Sequence, residues 1–470
     1  MESGAATTVG LALCLSCLAL LVWKRMRREG KLPPGPFPLP FLGNLLLPAL
    51  SPQLKEKYGP VFTVYLGPRP VVVLCGHEAV KEALVDQAEE FGGRGELASI
   101  DRNFQGHGVA FANGERWRVL RRFSLTTLRN FGMGKRSIEE RIQEEAQWPG
   151  RAPAGTGVRR LSRHLSVVFG HRFDYEDKRF LSLLHVINES FIQMSTPWAQ
   201  VFIPNALGPY PSPLAHTPCL PPAEPPRPIL RCPQRIRAPR LSPLWSPLSS
   251  LQERNDPLSE FNLKNLVLTA LNLFFAGTET VSTTLRYGFL LLMKYPEVEG
   301  DGVHEEIDRV IGRERIPGIE DRMGMPYTDA VIHEIQRVTD IVPMGVPRAV
   351  TRDTHFRGYI LPKGTDVFPL LGSALRDPKY FSCPDGFNPG HFLDDEGRFK
   401  KNEAFVPFAS GRRVCLGEAM ARMELFLYFT TVLQSFSLRS LIPAKDIDIS
   451  PQVSGFSNIP PTYKFCVVPR

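Results

Sequence analysis

The chain has 470 residues, 43% of them hydrophobic and 22% charged, with 56 basic against 48 acidic side chains and a formal charge of +8. That length suits one large domain or two or three ordinary ones, and the composition is globular, not disordered or fibrous. The basic excess fits an anionic membrane surface or an acidic protein partner. Zinc-finger spacing and aromatic-interleaved basic helices, the marks of a nucleic-acid binder, are missing, and the eight cysteines (14, 17, 75, 219, 232, 383, 415, 466) lack a disulfide framework and point to a reducing compartment.

Residues Thr7 to Trp23 are apolar apart from small hydroxyl residues and cysteines, and Lys24-Arg25-Met26-Arg27-Arg28 follows at once. A run of about 17 residues is at the short end for a bilayer span, and the basic cluster behind it should stay cytoplasmic. A cleaved signal peptide would carry its positive charge in front and a small-x-small site behind. The order here is reversed, so residues 1–30 are expected to be a retained membrane anchor and 31–470 the folded domain. Leu32 to Pro40 is too proline-rich for helix and reads as a stiff linker.

The β-branched runs Val61–Leu66 and Arg69–Cys75 around Gly67-Pro68 predict a hairpin. Glu78 to Glu89 reads as a short amphipathic helix. Asn113 to Arg122 reads as a capped helix start, with Trp117 and Arg121 one turn apart on one face. Residues 146–165, and still more 204–247 with 14 prolines in 44 residues, should be irregular. Ser166 to Met194 between them reads as ordered helix. Phe261 to Lys294 is the longest helical pattern, apolar nearly all round and therefore buried. Ala276-Gly277-Thr278-Glu279-Thr280 lies at its middle, where a glycine costs about 1 kcal/mol against alanine and suggests a locally open helix.

The strongest chemical signal is Phe405 to Glu418. Gly411 permits a tight turn with positive φ, and Gly417 lets the backbone approach something flat. Cys415 precedes an apolar helix, Ala419 to Phe436, whose N-terminus favours a thiolate. Such a thiolate serves as a nucleophile or a metal ligand, and the stretch holds no histidine base for a nucleophile. The plainer alternative is a buried structural cysteine after a turn. Phe408, Gly411, Arg413, Cys415 and Gly417 meet the spacing Phe-x-x-Gly-x-Arg-x-Cys-x-Gly in full. The stretch resembles the cysteine loop of the cytochromes P450, whose thiolate is the axial ligand of haem iron.

The resemblance covers about 32–145 and 251 to the end, and Asn130 to Arg141 with Met325 to Val331 place it nearest the olfactory subfamily of the microsomal family 2 members. It implies a mainly α fold with a small β region, and haem b between the long buried helix and the cysteine loop. It implies the reaction R–H + O₂ + 2e⁻ + 2H⁺ → R–OH + H₂O on small lipophilic compounds (xenobiotics, odorants, steroids). It also implies an endoplasmic reticulum membrane location. In that pattern the thiolate pushes electron density onto iron. Gly277 with Ala276 opens an oxygen groove, Thr280 offers a hydroxyl, and Glu279 takes part in proton delivery. Read singly, the threonine would be one bonded back to its own helix.

The same pattern assigns Trp117, Arg121, Arg94, Arg348 and Arg413 to haem propionates, which are costly to bury unpaired. For Trp117 and Arg121 alone, a surface cation–π contact is the plainer reading. Glu334 and Arg337, otherwise a common helix-surface pair, would close a structural triad with His391. Ile100, Phe104, Ala110, Phe111, Phe275, Val342, Val346 and Phe456 would line the pocket, against ordinary core packing. No Gly-x-Gly-x-x-Gly follows a strand, so electrons must come from a partner, NADPH–cytochrome P450 reductase, with cytochrome b5 a further partner. Arg118, Arg122, Arg129, Lys135, Arg412 and Arg422 are candidates for docking an acidic reductase face, against ordinary solvated charge.

The departures from the pattern lie in the middle. Asn44 to Lys57 is shorter than the family's first helix, and 146–165 lacks most of a helix pair. Proline-rich 204–250 stands where substrate-roofing helices belong, as a shifted reading frame or mis-spliced exon would leave it. Two expectations follow: a working membrane-bound monooxygenase, or a catalytically inactive or unstable relative with a defective pocket.

Overall fold

Gly67, at φ 63°, turns the chain between two runs of β-branched residues, and the predicted hairpin forms with the predicted bounds: β1 (Val61–Leu66) pairs antiparallel with β2 (Arg69–Cys75). The computed structural model describes residues 16–17, 32–39, 42–44, 52–130, 136–146, 178–196 and 259–470. Apart from Ser16 and Cys17 the expected anchor lies outside them, as do Lys135, residues 147–165 and 204–250. The described chain is mainly helical with three small sheets, and it divides into two compact units.

The first unit contains residues up to Ser99 and Val346–Leu370. Its sheet extends the hairpin in the order β1-β2-β7-β4-β3, where β3 is Gly93–Arg94, β4 Arg348–Ala349 and β7 Asp366–Leu370. A smaller hairpin joins β5 (Thr354–Phe356) to β6 (Tyr359–Leu361). The proline-rich linker is docked rather than free: Thr63 donates from Oγ1 to the Pro33 carbonyl (2.7 Å) and from its amide to the Pro34 carbonyl (3.0 Å). A Cβ on Gly35 would lie 1.8 Å from the Thr63 carbonyl oxygen, so only glycine allows that approach. The helix expected over 78–89 starts as α1 (His77–Lys81) and then widens into a π-type turn over Glu82–Asp86.

The second unit carries the long helices: α2 (Gly114–Asn130), α3 (Arg136–Ala146), α4 (Lys178–Met194), α5 (Leu263–Lys294), α6 (Pro326–Thr339) and α7 (Glu418–Ser435). β8 (Phe436–Ser440) pairs with β9 (Phe465–Pro469) beside them. Leu290 to Met293 on α5, Val331 and Ile335 on α6, Leu425 to Phe429 on α7 and Ile138 on α3 form one buried cluster. Burying each such side chain contributes about 1.5–3 kcal/mol. A Cβ on Gly288 would lie 3.1 Å from Ile335 Cδ1, so this glycine sets how closely α5 and α6 pack. The expected opening at Gly277 is corrected: α5 runs unbroken, and Thr280 and Thr284 bond back to the carbonyls of Ala276 (2.7 Å) and Thr280 (2.8 Å).

Candidate active site

The cysteine loop is closed on itself before α7 begins. The Cys415 amide donates to the Phe408 carbonyl (3.0 Å), Val414 to Gly411 (3.1 Å) and Ala409 to Val406 (3.0 Å). Gly411 sits at φ 71°, as its position required; Ala409 sits at φ 59°, where a β-carbon costs about 1–2 kcal/mol. Gly417 is the N-cap of α7, and a Cβ there would meet nothing within 4 Å. The Cys415 thiol is exposed at this helix mouth.

Two arginines brace the loop. Arg121 on α2 donates to the Val414 carbonyl at 2.7 Å, one residue before the cysteine. Arg413 is buried, donates to the Ala112 carbonyl (2.9 Å) and to Asn113 Oδ1 (3.0 Å), and lies 3.9 Å from the centre of the Trp117 ring. Arg121 is 5.9 Å from the same ring. Burial lowers the pKa of Arg121, and the nearby Cys415 opposes that shift. The sequence put Trp117 and Arg121 on one face; the bond from Arg121 to the loop carbonyl had no sequence signal.

On α5, Ala276 is exposed although Phe274, Thr278, Glu279 and Val281 around it are buried, and Gly277 and Thr280 are half-buried. Glu279 accepts from Thr283 Oγ1 at 3.1 Å. Burial pushes its carboxyl above the usual carboxylate range, against smaller opposing effects from Thr283 and Arg286.

The triad is assembled. Arg337 and Glu334 are both wholly buried and joined by two bonds (Nε 2.7 Å, Nη2 2.6 Å). Arg337 also donates to the carbonyls of Leu375 (3.1 Å), Pro384 (2.6 Å) and Gly386 (2.6 Å). The Asn388 amide donates to Glu334 at 2.8 Å. His391 accepts at Nε2 from the Cys383 amide (3.2 Å), so its proton sits on Nδ1, 3.2 Å from Glu334.

Of the pocket candidates, Phe275 stacks on Phe191 of α4 with ring centres 4.4 Å apart, and Phe456 lies 6.5 Å from Phe191. Phe104 and Phe111 pack at 4.8 Å, Ile100 is buried, and Val342 is half-buried. The Ala110 amide donates to Asn272 Oδ1 (3.1 Å), and Gly108 to Asn265 Oδ1 (3.3 Å). These asparagines pin the 108–110 segment to α5. Sequence reading missed them, though two polar residues seven apart on an apolar helix were the available sign. In the first unit Val346 is half-buried, and Arg94 and Arg348 are register partners across β3 and β4. Arg118, Arg122 and Arg129 are exposed on α2 and Arg412 is exposed in the loop. Arg422 is half-buried, bonded to Glu418 and His333.

The family model of cytochrome P450 matches residues 33–150 and 243–467. The chain belongs to the cytochrome P450 family. It is 63% identical over 497 aligned positions to cytochrome P450 2G1 of Oryctolagus cuniculus and 60% identical to that of Rattus norvegicus, with all of each chain covered. It is 54% identical to cytochrome P450 2A13 of Homo sapiens over 98% of each. This P450 is therefore an oxidoreductase of the monooxygenase kind within family 2, with a mainly helical fold, and its family implies haem b, O₂ and NADPH through a reductase. The residues present in the second unit fit a haem: a thiol at a helix mouth, a glycine with open space beyond it, a small-residue surface at Ala276, and the buried Arg413 guanidinium, suited to a carboxylate. Helix α4 lies between the matched segments, yet it folds and packs on Phe275.

Proposed function

We propose that this chain is a haem-thiolate monooxygenase of small lipophilic compounds such as xenobiotics, odorants or steroids, with Cys415 as the axial ligand. The observation that carries the reading is the closed loop from Phe408 to Cys415, braced by Arg121 at Val414, which presents an exposed sulfur before α7. Haem, when bound, supplies the oxygen-activating chemistry. The protein's own part is to hold the thiolate, to neutralise carboxylates with Arg413 and Arg121, and to keep water from the apolar wall of Phe275, Phe191 and Phe456. Phe408, Gly411 and Gly417 shape the loop, and Arg94 with Arg348 adds a cationic ladder of its own.

Glu279 is a buried acid that accepts from Thr283, and Thr280 follows it on α5 with its hydroxyl on the Ala276 carbonyl, so both are read as residues that handle protons, near the exposed Ala276 and the half-buried Gly277. Electrons are supplied by NADPH–cytochrome P450 reductase, with cytochrome b5 as a second donor, at a surface bearing Arg118, Arg122, Arg129 and Arg412. Lys135 belongs to the same set by sequence alone. Residues 1–30 anchor the chain in the endoplasmic reticulum membrane with residues 31–470 on the cytoplasmic side.

The break in the family match, 151–242, favours a second reading, a relative that holds haem poorly or encloses substrate defectively. The carbon-monoxide difference spectrum of the reduced full-length protein decides between them. A thiolate-type band that Cys415→Ser abolishes supports the enzyme. A blank spectrum from the unaltered chain supports the inactive relative.

A further inference from the structure

We propose that His333 is a positioning residue for the cysteine loop, acting through Arg422; this rests on the reading of Cys415 as the haem ligand and extends it. His333 lies on α6 immediately before Glu334 and is buried. Its Nε2 is 2.9 Å from Arg422 Nη1. A guanidinium has only donors, so Nε2 is the acceptor and the ring proton lies on Nδ1. There the Asp329 carbonyl (2.7 Å) and its carboxylate Oδ1 (3.2 Å) receive it. Arg322 fixes that carboxylate with two bonds of 2.9 and 3.1 Å. The rings of Phe392, Phe399 and Phe405 surround the imidazole at 5.4, 4.6 and 4.8 Å.

Arg422 connects this fixed ring to the loop. Its Nε and Nη2 hold Glu418, the first residue of α7, at 3.0 and 2.9 Å. Its guanidinium also lies 5.1 Å from the Phe408 ring and 5.9 Å from that of Phe405. Phe408 is the residue whose carbonyl holds the Cys415 amide. One planar cation thus ties α6, the first turn of α7 and the aromatic base of the loop, a task that needs the fork of an arginine and not the single nitrogen of a lysine. Helix α6 then presents two adjacent anchoring side chains: Glu334 to the Asn388–His391 segment, and His333 through Arg422 to the loop.

Amide hydrogen exchange on the full-length protein tests this without requiring turnover. His333→Leu removes the acceptor and should speed exchange across 408–417 by tenfold or more, with the Asn388 amide on Glu334 unchanged. It should also enlarge the fraction of the carbon-monoxide complex lacking the thiolate-type band. His333→Gln, whose side-chain oxygen can accept from Arg422, should restore most of the protection. If His333→Leu does not accumulate folded, Arg422→Lys keeps the charge without the fork and should show the same local acceleration. Unchanged exchange at 408–417 in the folded variants, or His333→Gln behaving like His333→Leu, overturns the link. If the wild-type chain takes up no haem while His333→Leu still speeds exchange at 408–417 relative to it, the link stands and the haem reading falls instead.

Discussion

Around the triad and Arg413 the supports are charged and buried: Arg337 gives its donors to Glu334 and to backbone carbonyls with no exposure to solvent, and Arg413 bonds Ala112 and Asn113 and lies against Trp117. Toward the pocket candidates the supports are rings, with Phe275 stacked on Phe191 and Phe456 nearby. The two constructions should fail differently. Removing one member of a buried ion pair strands its partner's charge, so the charged side fails all at once. A ring removed from an apolar wall leaves a cavity that its neighbours partly refill, so that side degrades by degrees.

The sharpest way to break the contrast is Arg337→Ala. It leaves Glu334 buried without its cation and should cost about 3–5 kcal/mol. The expected result is protein with little or no haem, read from the haem-to-protein ratio and a lowered urea midpoint. A normal haem complement would reject the role. On the ring side, Phe191→Ala should cost about 3 kcal/mol or somewhat less, since the site can collapse. It should weaken the spectral binding of apolar ligands while the carbon-monoxide band keeps its position; a displaced band would show that the wall and the loop are not separable.

What could be read in the sequence follows the same division. The loop turn and the long buried helix were legible because their chemistry is local: Gly411 declares a positive φ, and α5 is apolar nearly all round; the triad with His391, 57 residues from Glu334, was expected only through the family resemblance. Contacts that join distant segments were not legible. Nothing near Asn272 announces Ala110, and nothing near Arg422 announces His333, 89 residues away. The expected opening at Gly277 failed because threonine hydroxyls satisfy themselves on carbonyls one turn back without breaking the helix.

Trp117→Leu probes the edge between the two constructions at smaller scale. It keeps apolar bulk but removes the ring under Arg413, an interaction of about 1–2 kcal/mol when desolvated. Haem should dissociate roughly tenfold faster, as 1.4 kcal/mol is a factor of ten, and transfer to an apoprotein scavenger measures it. Unchanged dissociation would mean that Ala112 and Asn113 hold Arg413 by themselves.

The smallest effect expected is on Glu279, which has a charge like the loop side but a setting like the ring side. Burial raises its pKa above that of the unfolded chain, so the native state retains a proton that the unfolded state has lost. That contribution is fully present below the unfolded value and is lost as pH rises through the folded one. Glu279→Gln keeps an amide for Thr283 and cannot ionise. Its urea midpoint should therefore hold steady over the pH range in which the parent's midpoint falls, so the two curves approach each other toward acid and separate toward neutral pH. The same substitution should lower turnover more than it alters substrate affinity, because the carboxyl is read as handling protons and not as touching substrate. Parallel midpoint curves would mean that Glu279 ionises as easily inside the helix bundle as in the open chain, and the case for Glu279 as a buried acid on α5 would fall with them.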